Sequence, residues 1–271
     1  MGEAFTSIPS DEGGVGSQHY NPGSTAFLKN PEFSLTGRNG ISDDRFGSMI
    51  LGVPTRFGSL SGSFSYYGIG NVDLVDPEGR TRSVRAEDDT AVNLNYGKSL
   101  GGRLGLGFNL KYLQSKIAES LSASAIAADL GAQLKLNSFS LGLAVQNLGS
   151  SLKYRNTRES LPALVRGGAS YKRDLNLSGR PERLILSFDL VKETGVNLKE
   201  FFGLEYLWNG MIAFRSGSKL GPDSEPLVIG VGFIVGRVQI DYNHSNIIEA
   251  NGFHTLSLTY KFSKNIPPTN P

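Results

Sequence analysis

The sequence predicts an all-β fold, a transmembrane antiparallel β-barrel of about 14 strands with an N-terminal hatch segment. Three observations predict it: apolar and polar residues alternate with period two from Glu32 to Phe262, the candidate strands are even in number, and charge falls on one face of them. Even counts with about 9–11 residues per strand are typical of bacterial outer-membrane barrels. We therefore divide the chain into a hatch or plug at 1–30, an outer-membrane barrel at 31–262 and a periplasmic C-terminal tail at 263–271.

The alternation defines each strand and its two faces. In 103–112 every second residue is Leu, Phe or Tyr, and the residues between them are Arg, Gly, Asn or Lys. In the closing strand, Leu256, Leu258, Tyr260 and Phe262 share one face, opposite Thr, Ser and Lys. The same test along the chain gives candidate strands at 32–39, 46–55, 57–68, 89–98, 102–115, 121–136, 138–148, 162–173, 182–191, 200–208, 210–216, 226–235, 237–244 and 252–262.

The connections between these strands form two length classes. The even-numbered ones are short: Arg56, 99–101, Asn137, the longer 174–181, 209–210 and Gly236. The odd-numbered ones are mostly longer and rich in Asp, Glu, Lys, Asn, Gly and Pro: 40–45, 69–88, 116–120, 149–161, 192–199, 217–225 and 245–251. Outer-membrane barrels alternate short periplasmic turns with longer extracellular loops, so we expect both termini on the periplasmic side.

Polarity supports this geometry, because the faces assigned to the lumen carry nearly all the charge. They hold Arg103, Lys111, Asp129, Gln133, Lys135, Arg166, Lys172, Arg183, Asp189, Glu205, Arg215, Arg237, Asp241 and Lys261. An Arg or Lys facing lipid near mid-membrane costs about 2–4 kcal/mol, so a barrel in outer-membrane lipid should show this asymmetry. Aromatic residues near strand ends form the expected girdles: Tyr66, Tyr96, Tyr112, Tyr171, Tyr206, Trp208, Tyr260 and Phe262.

Several other classes of protein fit the sequence poorly. The net charge is +2 and no Lys/Arg cluster is present, so we expect no nucleic-acid partner. Cysteine is absent and no run of 18 apolar residues exists, so neither disulfides nor a spanning helix are predicted. The start of the chain lacks a basic and an apolar signal region, and we expect that any secretory signal has been removed. A soluble β-sandwich also alternates, but it need not sort its connections by length.

Motifs that carry chemistry are weak. The histidines His19, His244 and His254 lack metal-ligand spacing, and no G-x-S-x-G elbow is present, so we expect no catalytic residue, metal or cofactor. Gly102, Gly105 and Gly107 lie in an alternating strand with no helix after it. We interpret them as small residues facing the lumen rather than as a nucleotide loop.

Three stretches of the chain carry a resemblance to a known family. The first is 2–6, which includes Phe5, followed by Asn21, Pro22 and Gly23. The second is 141–149, which includes Gln146, Asn147 and Gly149, followed by Pro162 and by 166–171. The third is 203–206 with 213–217, which include Glu205 and Arg215. Together they resemble the PorV/PorQ family of outer-membrane proteins, relatives of the FadL-type fatty-acid channels.

The resemblance implies a fourteen-stranded barrel with an N-terminal hatch and a role beside the type IX secretion translocon. PorV-like members associate with the translocon barrel and receive cargo through its signal domain, whereas FadL-like relatives pass hydrophobic molecules out through a lateral opening. The matched residues look architectural. The closing strand resembles the C-terminal signal read by the barrel assembly machinery, although a tail follows its aromatic Phe262.

We therefore expect a non-enzymatic barrel of the bacterial outer membrane that serves as a partner subunit of a secretion or surface-protein assembly. Its partners would be outer-membrane lipid and other outer-membrane or secreted proteins. The alternative is a FadL-like transporter, whose ligand would be a small hydrophobic molecule, and a plain structural barrel is a third interpretation. We expect the lumen charges to pair with each other and with the hatch, closing the pore, rather than to select a solute.

Overall fold

The computed structural model describes residues 1–40, 44–75, 77–118, 120–155, 157–176, 179–220, 227–247 and 250–262. These residues form three short helices, α1 (Ser10–Gly13), η1 (Val15–His19) and η2 (Pro22–Phe27), followed by sixteen strands. The strands are β1 (Glu32–Asn39), β2 (Arg45–Thr55), β3 (Gly58–Val75), β4 (Thr81–Leu100), β5 (Leu104–Ile117), β6 (Leu121–Leu136), β7 (Phe139–Gly149), β8 (Leu152–Tyr154), β9 (Thr157–Glu159), β10 (Leu164–Leu175), β11 (Glu182–Glu193), β12 (Lys199–Trp208), β13 (Ile212–Leu220), β14 (Leu227–Val235), β15 (Val238–Ile247) and β16 (Ala250–Lys261).

Fourteen of these strands close into one antiparallel barrel, which confirms the predicted fold class. Each barrel strand pairs with its neighbour in the chain, except that β7 pairs with β10 across the two-stranded β8–β9 hairpin. The barrel is closed by β1 and β16, whose ladder runs from Glu32 opposite Lys261 to Asn39 opposite His254. Closure leaves no unpaired sheet edge, as a strand structure in lipid requires.

The predicted faces are the observed ones. On β5, Phe108 points outward and is 42% exposed, whereas its neighbour Asn109 points inward and is fully buried. The exposed large hydrophobic residues recur on every barrel strand and form a continuous apolar exterior. An apolar surface of that extent is stable against hydrocarbon and not against water. No helix among the described residues is long and apolar enough to cross a membrane.

The strand ends differ from the prediction on the side away from the termini. The prediction of a loop at 69–88 is wrong, because β3 and β4 continue pairing to Val75 opposite Thr81. Paired backbone satisfies its own hydrogen bonds, so a hairpin extends beyond the lipid without needing apolar residues. For the same reason the connection between β5 and β6 shrinks to 118–120, and the two connection classes differ in length less than predicted.

The predicted loop at 149–161 also contains structure, the β8–β9 hairpin. Its Tyr154 is buried and the hairpin lies against β6. The strand predicted from Pro162 begins at Leu164, since proline has no N–H to donate to a ladder. The predicted strand start at Gly102 is wrong as well: Gly101 and Gly102, both with positive φ, form the turn before Leu104.

Both termini of the barrel lie at one rim together with the short turns after Thr55, Leu136, Trp208 and Val235, and we call this rim the periplasmic end, following the arrangement of outer-membrane barrels. Residues 1–31, which we call the N-terminal segment, fold back from that rim into the lumen. Three small apolar clusters fix them, one of which joins Val15, Leu28 and the wall residue Ile50. The tail at 263–271 lies outside the described residues.

Candidate functional site: the plugged lumen

The candidate site is the interface between the N-terminal segment and the inner wall of the barrel. Glycines on β5 and β6 let the backbone of the segment touch the wall. A Cβ atom on Gly107 would lie 2.2 Å from the carbonyl carbon of Pro22, and one on Gly131 would lie 2.2 Å from Asn21 Oδ1. Gly105 meets the carbonyl oxygen of Gly23 in the same way, at 2.6 Å. Only glycine permits so close an approach of two backbones.

Asn21 is the residue through which the segment is fixed to this cradle. Its Oδ1 accepts a hydrogen bond from the N–H of Gly23 at 2.9 Å and so caps η2, with Pro22 at the first helical position. Its Nδ2 lies 2.9 Å from the carbonyl oxygens of Thr6 and Ala132, so it joins the segment to itself and to β6. In the Asn-Pro-Gly sequence, Asn21 therefore caps η2, Pro22 begins it, and Gly23 lies in close contact with the wall.

Amide side chains on the wall serve the remaining polar groups of the segment. Three buried residues, on β4, β5 and β6, donate to backbone carbonyl oxygens of the segment. The pairs are Asn95 Nδ2 to Pro22 O at 3.3 Å, Asn109 Nδ2 to Gln18 O at 3.4 Å, and Gln133 Nε2 to Ser7 O at 2.6 Å. The sequence placed Asn109 and Gln133 on the lumen face but did not indicate what they bind.

Asp189 on β11 holds the beginning of the segment. Its Oδ2 accepts hydrogen bonds from the N–H groups of Phe5 and Thr6, at 2.9 and 2.8 Å, and from the Thr6 hydroxyl at 2.6 Å. Arg166 donates to Thr6 Oγ1 and to the carbonyl of Glu3, and its Nη2 lies 3.6 Å from Asp189 Oδ2. A fully buried carboxylate is thus neutralised by a neighbouring strand and by the segment together. The Phe5 ring packs on Tyr20, with centroids 5.3 Å apart.

The Gln-Asn pair of the second motif forms a β-bulge between β6 and β7. Asn147 adopts a φ of 61°, and its N–H donates to Asp129 Oδ1 at 2.8 Å. At this point two residues of β7 oppose one of β6, and the register shifts between Ala128 and Leu130. Lys111 completes the centre, 2.7 Å from Asp129 Oδ2 and 3.0 Å from Asn147 Oδ1. The bulge is filled by side chains and leaves no gap in the wall.

The bulge also ties together parts of the chain that are distant in sequence. Gln146 Nε2 donates to the carbonyl of His19 at 2.8 Å, which fixes the end of η1. Asn147 Nδ2 donates to the carbonyl of Pro162 at 2.9 Å, which fixes the chain leading into β10. Gly149 lies where a Cβ would meet the carbonyl oxygen of Ile126 at 2.1 Å. These motif residues are architectural, and no sequence signal identified their partners.

Glu205 and Arg215 of the third motif lie directly opposite each other on β12 and β13. Arg215 Nε donates to Glu205 Oε2 at 2.7 Å, and its Nη1 donates to Asp241 on β15. Arg183 Nη2 lies 3.4 Å from the other oxygen of Glu205. This ion-pair network links four strands on the inner wall. By contrast, Arg103 and Arg237, which the sequence assigned to the lumen, are exposed in periplasmic turns.

Ion pairs at the periplasmic end join the segment to the rim. Asp11 contacts both Lys135 of β6, at 2.8 Å, and Lys29, at 3.0 Å. Burial raises the pKa of Asp11, but hydrogen bonds and charge from the two lysines outweigh that effect and hold the pKa below its usual value. Glu12 pairs with Lys172 of β10 at 2.8 Å.

The outer face carries two further features. The proposed assembly-signal residues Leu256, Leu258 and Phe262 point outward, and Tyr260 packs edge-on against Phe262 with ring centroids 4.7 Å apart. His254 is exposed and its Nδ1 lies 2.7 Å from the hydroxyl of Tyr242. In the described part of the chain, no cluster of three or more His, Asp or Glu side chains is arranged to hold a metal.

An apolar depression of about 560 Å³ lies on the lipid-facing wall over β10 to β13. Phe188, Phe202, Leu186 and Leu204 line it, and its floor is the wall at Gly203. Behind that floor lies the start of the N-terminal segment, since a Cβ on Gly203 would meet the carbonyl oxygen of Met1 at 2.8 Å. The ladders from β10 to β13 continue without a register shift, so the wall is closed here.

No described protein family matches the sequence, and no curated protein matches it either. Several solved structures do match it. The chain is similar to the CymD monoaromatic hydrocarbon channel, with a TM-score of 0.61, 11% sequence identity, and coverage of 92% of this chain and 93% of that one. It is also similar to a Pseudomonas aeruginosa FadL homologue, with a TM-score of 0.52, 12% identity and coverage of 95% and 96%.

The chain also matches CdiB from Acinetobacter baumannii, with a TM-score of 0.47 and 12% identity. That match covers 87% of this chain, which spans 60% of the CdiB chain. At these identities the likeness concerns the fold. Together with the closed ladder and the apolar exterior, it identifies the chain as a β-barrel of the bacterial outer membrane.

Proposed function

We propose that the protein is a non-enzymatic, plugged outer-membrane barrel that acts through partner proteins, as a subunit of a secretion or surface-protein assembly of the PorV/PorQ type. The observation that carries the proposal is the attachment of the N-terminal segment. Buried side chains on β4, β5, β6, β10 and β11 bond to it, and Asp189 alone accepts three of its hydrogen bonds. A lumen filled in this way favours a structural role over solute flow.

The charges of the lumen support the same proposal. Porins use lumen charges to select solutes in water, whereas the main lumen charges here are paired with each other or with the segment. The family-motif residues Gln146, Asn147, Glu205 and Arg215 all take part in holding the wall or the segment. Residues that a channel would use for selection are used here for closure.

Purification of the native protein from mild detergent extracts, with mass spectrometry of both proteins and lipids, tests the proposal. We expect reproducible co-purification of other outer-membrane or secreted proteins, and no conductance when the protein is placed in planar bilayers. A porin placed in the same bilayers serves as the control that an open barrel conducts. A tightly held fatty acid or hydrocarbon without any protein partner would contradict the proposal.

A second candidate is a FadL-like transporter of small hydrophobic molecules. The apolar depression beside the start of the segment favours it. Two proteins of similar structure, a monoaromatic hydrocarbon channel and a FadL homologue, also favour it. The closed ladder beneath the depression is evidence against it.

Uptake of a radiolabelled hydrocarbon or fatty acid into proteoliposomes distinguishes the two candidates. Ser216 lines the depression, so Ser216→Phe should fill it, whereas Leu258→Phe on the outer face of β16 serves as the matched control. A transporter would lose uptake in the first variant and keep it in the second. We expect no uptake above that of empty liposomes with any of the proteins.

A further inference from the structure

The periplasmic mouth of the barrel contains a second pocket, of about 420 Å³, between the N-terminal segment and the turn from β2 to β3. Ala26, Leu28 and Lys29 of the segment form one side. Arg56 of the turn and Lys98 near the end of β4 form the other. The residues that line the pocket thus include three cations from separate parts of the chain and no carboxylate.

The cationic residues of this pocket outnumber the carboxylates that pair with them. Arg56 lies over the ring of Phe57, at 4.5 Å, and in the described part of the chain neither Arg56 nor Lys98 forms an ion pair. Lys29 is 73% exposed and shares the single carboxylate of Asp11 with Lys135. The positive charges of Arg56 and Lys98, which have no ion-pair partner among the described residues, attract an external anion.

A polar atom in the lining is also without a partner. The hydroxyl of Ser99, beside Lys98, is buried and makes no hydrogen bond to any described residue. Buried hydroxyls are nearly always satisfied in folded proteins by protein or by water, so the Ser99 hydroxyl is able to bond to a polar group that enters the pocket. Its neighbours in the lining, Ala26, Leu28 and Pro54, add apolar contact.

The charge of the whole rim is consistent with an anionic partner. Arg56, Lys98, Arg103, Arg180 and Arg237 are exposed at this end, and so are Arg173 and Asp174, whose charges are opposite. An excess of exposed positive charge accelerates the approach of a negatively charged partner.

From these observations we infer that the pocket lined by Lys29, Arg56, Lys98 and Ser99 binds the carboxylates of an acidic peptide segment that belongs to a periplasmic protein. A peptide fits better than a phospholipid headgroup, because one side of the pocket is the segment inside the lumen and the pocket opens to the aqueous mouth of the barrel. This inference rests on the proposed function. It adds that one partner binds at the periplasmic end of the barrel and that the partner's binding segment is acidic.

A binding measurement with the full chain in nanodiscs of zwitterionic lipid tests the inference. The probe is a fluorescein-labelled octapeptide that alternates Glu with Ala, and its control replaces every Glu by Gln. We expect saturable binding of the acidic peptide that weakens as salt is added, and none of the Gln peptide. The double variant Arg56→Gln/Lys98→Gln should weaken binding about tenfold, since two exposed charge contacts to the peptide are lost together.

The matched control is Arg180→Gln/Arg237→Gln, which removes the same charge from the same rim away from the pocket and should keep affinity within about twofold. The gel shift of unheated samples shows that each variant is folded. Equal losses in the two double variants would show a diffuse field instead of a pocket and would overturn the inference. Complete loss of peptide binding in nanodiscs that contain anionic lipid would also overturn it, because headgroups would then fill the site.

Co-purification separates this inference from the proposed function. We expect the acidic partner to be depleted from preparations of Arg56→Gln/Lys98→Gln. If the same proteins co-purify in unchanged amounts with this variant, the pocket is not their docking site and the inference fails while the proposed function stands. If no protein co-purifies with the unmodified chain, the proposed function fails as well.

Discussion

Two parts of the inner wall meet their polar requirements in different ways. On β4, β5 and β6, inward glycines alternate with Asn and Gln side chains that bond to the N-terminal segment. On β1 and β16, inward hydroxyls bond to each other across the strands: Ser34 to Thr259 at 3.0 Å and Thr36 to Ser257 at 2.9 Å. The first wall is incomplete without the segment, whereas the second satisfies itself. The segment therefore supplies hydrogen-bond partners to β4, β5 and β6, whereas at the β1–β16 seam it reaches the rim residue Glu32, which accepts the N–H of Val15 at 2.9 Å.

The largest effect should come from Asp189→Ala. Removal of the carboxylate leaves Arg166 and two backbone N–H groups of the segment buried without their acceptor. We expect the free energy of unfolding to fall by about 3–5 kcal/mol, together with rapid proteolysis of the segment. Urea titration in detergent micelles measures the first and limited trypsin digestion the second. Asp174→Ala, at an exposed position, is the control, and a loss below about 1 kcal/mol for Asp189→Ala would contradict the comparison.

A smaller effect is expected from Gly107→Ala. Its new methyl group would overlap the Pro22 carbonyl carbon, so the segment must shift or leave the cradle. Overpacking of this kind costs about 1–3 kcal/mol and should speed hydrogen exchange of the amides in η2. Gly47→Ala is the matched control, because a Cβ there has no heavy atom within 4 Å. Unchanged exchange in η2 of the Gly107 variant would show that the cradle does not hold the segment.

Asn147 offers a sharper test of the bulge. Asn147→Gly keeps the left-handed backbone and the N–H bond to Asp129, while Asn147→Ala adds the cost of a Cβ at positive φ. The alanine variant should therefore be about 1–2 kcal/mol less stable to urea than the glycine variant. Equal stabilities would mean that the bulge relaxes when the side chain is removed.

The ion pairs of Asp11 with Lys29 and Lys135 should depend on pH. The pKa of Asp11 is lowered in the folded protein, so its contribution is complete above the pKa of the unfolded chain and is lost as pH falls through the lowered folded value. We expect the protection of the segment from protease to weaken below about pH 4, by at most about 1 kcal/mol. Asp11→Asn should remove this pH dependence and weaken protection at neutral pH. A pH response that the variant retains would assign it to other carboxylates.

The smallest effect is expected at β1 and β16, where inward hydroxyls hydrogen-bond to each other. The double variant Thr36→Val/Ser257→Ala replaces both hydroxyls of one pair, and replacement of both partners is nearly neutral, within about 1 kcal/mol. Protection of the segment should not change. If the segment became accessible to protease, the two walls would not be independent and the comparison would be wrong.

Much of the barrel was predictable because alternation acts locally. The residues around Phe108 and Asn109 show their faces from sequence alone, since neighbouring side chains on a strand must point to opposite sides. The extension of β3 to Val75 was not predictable, because pairing outside the lipid needs no apolar pattern. The bulge at Asn147 was missed because it depends on Asp129, which lies on another strand.

Which strand residues face lipid and which face the lumen could be inferred from the sequence, because period two and the segregation of charge are visible in short stretches. The same two patterns predicted that the sheet closes into a barrel. The contacts that hold the predicted hatch inside the lumen, in contrast, are visible only in the folded barrel. Asn21 meets Gln133 across 112 residues of chain, and Thr6 meets Asp189 across 183. Such contacts follow from the curvature and register of the closed barrel, which no local pattern encodes.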